Sequence, residues 1–326
     1  MSKAIRIHAT GGPEVMVWED APVGDPRAGE VRLRQIAVGL NFLDIYHRAG
    51  THHMPLDPLP ATPGVEGAGV VTAVGEGADF AIGDRVAYPI TVGAYAEERI
   101  IAADDLVPVP GGISYVQAAA LMLKGLTTAH LFGNVANLSR GDRVLFHAAA
   151  GGVGLIACQW ARHLGVELIG TVGSDEKAEI ARAQGCAHTI VYGREDFAAR
   201  VGDIAGGKGV QAVFDSVGQD TFMGSLACAA EGATVATFGL ASGPLPAFGF
   251  ADLPLGVSVR RASVRSLTDH PARMREAAAA MFGLVSEGHI TPVIGGVYNM
   301  ADAPAAHREM EARRTTGSIV FVLASV

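Results

Sequence analysis

The chain is short of charge, of cysteine and of aromatic rings. Of its 326 residues 18% are charged, 6% are aromatic and three are cysteine. A charged fraction below the ~25% of an average soluble protein points to a large core and excludes a disordered chain, a collagen or a coiled coil. Basic residues are in deficit: 25 against 33 acidic ones leave a net charge of −8. That sign repels phosphate backbones and anionic lipid headgroups, so neither nucleic acid nor membrane is expected as a partner. No apolar run reaches the ~18 residues of a membrane span. Residues 1–8 move straight into strand-like alternation, with no signal-peptide core. Cys158, Cys186 and Cys228 are odd in number and widely spaced, which excludes a paired disulfide framework and makes the reducing cytoplasm the expected compartment.

What the chain has in excess is glycine, 42 residues where the usual ~7% would give about half as many. Such a surplus implies tight turns and close approach of backbone to backbone or to something bound. At about 150 residues per domain, the length suggests roughly two domains.

The first ~120 residues hold short strand-like runs at 3–8, 30–40, 67–75, 85–88 and 95–101, which reads as a β-rich, barrel-like domain. Four prolines between 54 and 64 make that stretch a loop or rigid connector. From 114 the rhythm changes. A helix is predicted over 114–131, then strands at 143–147, 167–171, 189–192, 212–215, 234–238 and 258–264 alternate with helices at 152–164, 176–184, 197–204 and 222–229. That alternation is the signature of a doubly wound parallel sheet. A helix at 271–286 and a strand at 318–323 follow; if they return to the first domain, the α/β unit is an insertion within it.

The sharpest segment is Val144-Leu-Phe-His-Ala-Ala-Ala-Gly-Gly-Val-Gly154. It begins as a buried strand, breaks at small residues and resumes as a helix. Ala149, Gly151 and Gly154 meet the G-x-G-x-x-G spacing with Ala in first place. Small residues there allow a tight turn and close approach to a pyrophosphate, whose charge the helix N-terminus stabilises. The choice of dinucleotide lies at the end of the next strand, in Ile169-Gly-Thr-Val-Gly-Ser-Asp-Glu-Lys177. An NAD-binding chain places an Asp or Glu directly after that strand to hold the ribose 2′-hydroxyl. Here Gly173 and Ser174 occupy the turn and Lys177 follows one helical turn on, where it could neutralise a 2′-phosphate, so NADPH is expected over NADH. Asp175 and Glu176 argue against it, although both also suit the first turn of a helix capped by Ser174.

No metal is expected. The three cysteines read as small core residues, no Cys/His pair has ligand spacing, and the adjacent side chains of His52 and His53 point apart. His147, just before the glycine loop, reads as a satisfied core histidine. Lys124 stands in an apolar helical run, where a charge needs an anion, a carbonyl or a route to solvent. Tyr46 carries a phenol able to donate to a developing oxyanion, or is a packing residue.

Further motifs run the length of the chain: Gly11-Gly-Pro-Glu-Val15, Gly39-Leu-Asn-Phe-Leu-Asp-Ile-Tyr46, Pro63-Gly-Val-Glu-Gly-Ala-Gly69, Gly83-Asp-Arg-Val86, Leu123-Lys-Gly-Leu-Thr-Thr128, the glycine loop, Phe214-Asp-Ser-Val-Gly218 and Arg313-Arg-Thr-Thr-Gly317. In these, over essentially its whole length, the chain resembles the zinc-independent quinone oxidoreductases, the zeta-crystallin-like family of the medium-chain dehydrogenase/reductase superfamily. The alcohol-dehydrogenase branch would place Cys where Asn41 stands and His where Val65 stands. The resemblance implies a GroES-like β-rich domain over 1–123 and 265–326 and a Rossmann domain over 124–264, with the nicotinamide in the cleft between them. It implies that Asn41 and Tyr46 face the nicotinamide, with Lys124 and Thr127 below. Ala150, Gly151, Gly152 and Val153 would hold the pyrophosphate. Gly173, Ser174, Lys177 and Tyr192 would hold the adenosine phosphate; Phe238, Gly239 and Ser242 would wall the nicotinamide, and Arg313 would reach back from the C-terminal segment. Leu240-Ala241 is apolar where relatives carry polar residues, leaving Ser242 or the backbone to hydrogen-bond the cofactor from that turn.

The function this implies is hydride transfer from NADPH to a quinone or similarly electron-poor acceptor without metal. The alternatives are a 2-alkenal or enone reductase and, from another class, a non-catalytic NADPH-binding protein. A homodimer is expected through the edge strand at 258–264.

Overall fold

The computed structural model describes residues 2–51 and 56–323, which fall into two compact units. The first unit is discontinuous, Met1–Leu126 with Arg265–Ser286 and Pro292–Val326. Its N-terminal part contains β1 (Lys3–Ile7), β2 (Met16–Asp20), β3 (Glu30–Leu40), α1 (Phe42–Ala49), β4 (Glu66–Val74), β5 (Arg85–Tyr88), β6 (Glu98–Ala102), β7 (Val107–Pro108) and most of α2 (Tyr115–Ala129), whose last three residues belong to the second unit. β1 and β2 pair antiparallel as a separate ribbon. The other strands belong to a seven-stranded sheet that the C-terminal segment completes.

The second unit, Thr127–Val264 with Glu287–Thr291, contains β8 (Arg143–Phe146), α3 (Gly152–Leu164), β9 (Glu167–Val172), α4 (Asp175–Ala183), β10 (His188–Val191), α5 (Phe197–Ile204), β11 (Val210–Asp215), α6 (Phe222–Cys228), β12 (Ala229–Thr237) and β13 (Ser258–Arg261). Its strands form one parallel sheet in the order β10-β9-β8-β11-β12-β13. The order reverses at β8 and β11, the switch point beside which such sheets open a crevice at the strands' carboxyl ends. The glycine loop follows β8 and therefore lies at that point.

The chain then returns to the first unit with α7 (Arg265–Thr268), α8 (Pro271–Ser286), β14 (Ile294–Asn299), α9 (Ala303–Glu311) and β15 (Ser318–Val322). The seven-stranded sheet runs β14-β15-β3-β4-β5-β7, with β6 added to β3. β3 alternates partly exposed and buried residues along its first half and is buried continuously over its last four, Val-Gly-Leu included, where it closes on the core. That core includes Leu33, Leu40, Tyr88, Tyr95 and Phe321.

Six elements were not anticipated by the sequence pattern: β2, α1, β7, α7, β14 and α9. α1 is eight residues long and β14 carries Gly295 and Gly296, so neither offers a run long or regular enough to register. Three glycines lie inside strands where no side chain would fit. Gly39, Gly67 and Gly69 sit on β3 and β4 because a Cβ there would collide with Glu66, Tyr88 and the Arg34 carbonyl. Among the described residues no helix is long and apolar enough to cross a membrane.

Candidate functional site

In the first unit two of the polar residues expected at the site, Asn41 and Lys124, converge on one carboxylate. Glu66 opens β4 and is fully buried. One of its oxygens accepts the Asn41 side-chain amide at 2.8 Å and the Lys124 ammonium; the other accepts the Leu123 backbone N–H at 2.7 Å. Lys124 is 5% exposed, so the anion it requires in an apolar helix is supplied by the protein itself. Gly39 makes this possible: a Cβ there would come within 2.2 Å of Glu66 Oε1 and 2.5 Å of the Ala119 carbonyl.

Asn41 stands at the N-cap of α1, and its backbone N–H donates to Asp44 Oδ2 at 2.8 Å, half of a capping box. Asp44 is also completely buried, and burial together with the Glu66 charge pushes its pKa up to about 7 against the pull of the Asn41 and Tyr95 hydrogen bonds. Tyr46 follows on α1, half-buried, its ring 6.4 Å from that of Phe42. Thr127 lies one helical turn beyond Lys124 on α2. Arg313 is exposed after α9, in the left-handed region at φ +57°.

In the second unit Gly151 is the N-cap of α3, so the N–H groups of Gly152, Val153 and Gly154 open the helix without intrahelical acceptors. A Cβ on Gly154 would lie 2.6 Å from the Ala148 carbonyl and from Ala149 Cα, whereas one on Gly151 would meet only the Ala148 carbonyl at 3.2 Å. Ala148 itself takes φ +54° to make the turn. The backbone is thus held tight against the strand end and presents a helix N-terminus, a cradle that fits the pyrophosphate of a dinucleotide.

The adenosine-end residues also come together. A Cβ on Gly173 would touch the Tyr192 hydroxyl at 3.3 Å, and Tyr192 N–H donates to the Val172 carbonyl. Ser174 caps α4 by accepting the Lys177 N–H at 3.3 Å, as its helix-cap reading requires. Burial lowers the Lys177 pKa, a cost that a phosphate dianion beside it would offset. Asp175, which argued against a 2′-phosphate, is held by both terminal nitrogens of Arg194 at 2.8 and 2.5 Å. Phe238 and Gly239 follow β12; a Cβ on Gly239 would strike the Ser216 carbonyl at 2.7 Å. The Ser242 hydroxyl donates to the Val217 carbonyl at 2.9 Å and accepts the Asp220 N–H at 3.0 Å, so it braces its own turn.

His147 is buried, with Nδ1 2.9 Å from Thr171 Oγ1 and Nε2 2.9 Å from Ser225 Oγ, and burial lowers its pKa. The three cysteines are free and buried, and burial pushes the Cys228 thiol up to about 12. His52 and His53 lie outside the described residues. Among the described residues no group of three or more His, Cys, Asp or Glu is placed to hold a metal ion. Three participants were missed in the sequence: Glu66, Asp44 and Arg194. Glu66 had a signal, a carboxylate in a glycine-rich apolar strand, and Asp44 had the N-x-x-D capping spacing. Arg194 had none, because its partner is 19 positions away in the chain.

Two family models match, the alcohol dehydrogenase GroES-like domain over residues 27–111 and the zinc-binding dehydrogenase model over 152–282. Together they define the class: the chain belongs to the medium-chain dehydrogenase/reductase superfamily. A quinone oxidoreductase of Pseudomonas aeruginosa is 46% identical over 99% of this chain and 100% of its own. A 2-haloacrylate reductase of a Burkholderia species is 42% identical over 99% of each. The crystal structure of Escherichia coli quinone oxidoreductase complexed with NADPH superposes with a TM-score of 0.94 at 38% identity, covering 98% of this chain and 99% of that one. Within the superfamily the chain is a member of the quinone oxidoreductase family.

Proposed function

We propose that the chain is an NADPH-dependent quinone reductase that works without a metal. The observation that carries this reading is the Asn41–Glu66–Lys124 cluster. Its donors are an amide and an ammonium, both tied to one buried carboxylate, and such a set holds charge in place but offers a cation no ligand cage. Bound NADPH supplies the hydride and its electron pair. The protein's share is binding, orientation and a dry, fixed electrostatic environment.

Ala150 to Val153 receive the pyrophosphate at the α3 N-terminus, and Gly173, Ser174, Lys177 and Tyr192 receive the adenosine phosphate. Phe238, Gly239 and the Ser242 turn form a wall for the nicotinamide through shape, since the Ser242 hydroxyl already serves its own turn. Asn41 and Tyr46 orient the acceptor, Lys124 and Thr127 support them on α2, and Arg313 contributes charge from the C-terminal segment. Hydride addition to a quinone leaves a hydroquinone monoanion stabilised by its own ring. One proton from solvent or from the Tyr46 phenol completes the reduction. An alcohol or an unactivated ketone, which needs a Lewis acid or a strong proton donor, is a poor substrate.

The likeness to the 2-haloacrylate reductase supports a second reading, reduction of an activated C=C bond by the same hydride. Rates on a quinone and on a 2-alkenal, measured side by side with NADPH, separate the two; turnover of the alkenal alone overturns the first. Tight NADPH binding without turnover on any acceptor would favour the non-catalytic alternative.

A homodimer fits the unpaired edge of β13, near which Phe250 and Leu255 are 94% and 76% exposed. The cytoplasm fits three buried, unoxidised cysteines.

A further inference from the structure

A chain of hydrogen bonds runs from Asp44 to α9, and its direction is fixed at every link. Arg48 is 1% exposed and held on its far side by Glu311, with Nη2 2.6 Å from Oε1 and Nη1 3.2 Å from Oε2. Its Nη1 also lies 3.0 Å from His307 Nδ1. A guanidinium can only donate, so His307 Nδ1 accepts and the ring hydrogen sits on Nε2. Burial and the Arg48 charge push the His307 pKa down to about 3, which keeps the ring neutral in this tautomer. Nε2–H then donates to the Tyr95 hydroxyl at 3.0 Å, and Tyr95 donates its own hydrogen to Asp44 Oδ2 at 3.1 Å. Asp44 Oδ2 also accepts the Asn41 N–H. The other oxygen, Oδ1, is buried with no hydrogen-bond partner among the described residues, which leaves a place for a proton.

We infer that Asp44 is a positioning residue of the Asn41–Glu66–Lys124 cluster, acting through the Asn41 backbone and through its charge on Glu66 and Lys124, with Tyr95, His307 and Arg48 as the chain that holds its carboxyl in place. The inference rests on the quinone-reductase reading of that cluster. The ionisable groups around Asp44 are Glu66 from β4, Lys124 from α2, Tyr88 from β5, Tyr95 from the segment before β6, and His307 and Glu311 from α9, with His47 and Arg48 on its own helix. Of these, Glu66 disfavours the carboxylate and Lys124 favours it, while Tyr95 stabilises it by donation. With Asp44 protonated, Lys124 faces a single carboxylate. Once Asp44 ionises, a second buried negative charge stands beside Glu66 and opposes negative charge developing on an acceptor held by Asn41 and Tyr46.

The test uses the full-length protein and reads two signals across a pH series. The first is kcat/KM for a soluble benzoquinone with NADPH. In the wild type it falls about tenfold as Asp44 ionises, the effect expected of one added like charge in a low-dielectric site. Asp44→Asn, neutral at every pH and still able to accept from Asn41 and Tyr95, gives a pH profile without that fall, whatever its absolute rate. Tyr95→Phe removes a donor to the carboxylate and moves the fall to higher pH. The second signal is the NMR shift of the Asn41 backbone amide, which titrates with Asp44 in the wild type and is flat in Asp44→Asn. It needs no turnover, so a protein that reduces no quinone but shows the amide titration contradicts the quinone reading and supports the placement of Asp44. A wild-type Asn41 amide that does not titrate, or a rate profile that survives Asp44→Asn unchanged, overturns the inference.

Discussion

Lys124 and Glu66 form an ion pair sealed from water, 5% and 0% exposed, in which one carboxylate oxygen accepts both the ammonium and the Asn41 amide. Two charges removed from water in this way stabilise the fold little in themselves, but removing either one alone leaves the other stranded.

That asymmetry gives the first expectation. Glu66→Ala loses about 3–5 kcal/mol of stability and its quinone activity, because the buried Lys124 ammonium loses its carboxylate partner and Asn41 loses its acceptor. Lys124→Met with Glu66→Gln recovers most of the stability and none of the activity, since both charges leave together and the fixed electrostatics of the site leave with them. Thermal unfolding and steady-state rates on the single and double variants measure the coupling.

The pH dependence of stability carries two opposed slopes. The folded pKa of Asp44 is raised to about 7 from 3.8, so the stability this group contributes is fully present below pH 3.8 and is lost as the pH rises through about 7. The folded pKa of His307 is lowered to about 3 from 6.5, so its contribution is present above pH 6.5 and is lost as the pH falls through about 3. Asp44→Asn removes the first slope and leaves the second. Denaturant melts at a series of pH values then show the variant gaining on the wild type as the pH rises from about 4 to 7.

The glycine loop predicts a graded pair. Gly154→Ala drives a Cβ to 2.6 Å from the backbone of Ala148 and Ala149, so it weakens NADPH binding by tenfold or more, on the order of 1.4 kcal/mol per decade, and lowers the melting temperature. Gly151→Ala meets the Ala148 carbonyl at 3.2 Å and is tolerated with a smaller loss. Fluorescence titration with NADPH ranks them.

Cofactor choice depends on the turn after β9. With Lys177 at the 2′-phosphate, as proposed, Lys177→Ala removes a charge-assisted contact worth about 1.5–3 kcal/mol and reduces the NADPH-over-NADH preference about tenfold or more while leaving NADH little changed. Arg194→Ala releases Asp175 from its ion pair and shifts the preference the same way, by less, because that pair is exposed. Ratios of kcat/KM for the two cofactors check both.

The parallel sheet was legible from the sequence because each strand and helix there carries its own apolar period, and α3, α5 and α8 were predicted with the bounds they have. The site was legible as separate pieces. Lys124 and the Gly151–Gly154 loop each have a local signal, a misplaced charge and a spacing, whereas Asn41 came only through the resemblance. What joins Asn41 to Lys124 is Glu66, and what joins Asp44 to α9 is Tyr95 and His307, contacts that span 25 to 212 positions along the chain. No local window contains such pairs. The helix that carries Asn41 and Tyr46 was itself too short to predict.

Metal-free hydride transfer from NADPH to a quinone is checked by following NADPH oxidation by a soluble benzoquinone, with NADH in parallel, on protein treated with a strong chelator. The expected outcome is stoichiometric quinone reduction, faster with NADPH than with NADH and unchanged by chelation. Loss of activity on chelation that added metal restores, or no quinone reduction by a folded protein that binds NADPH, rules out this chemistry.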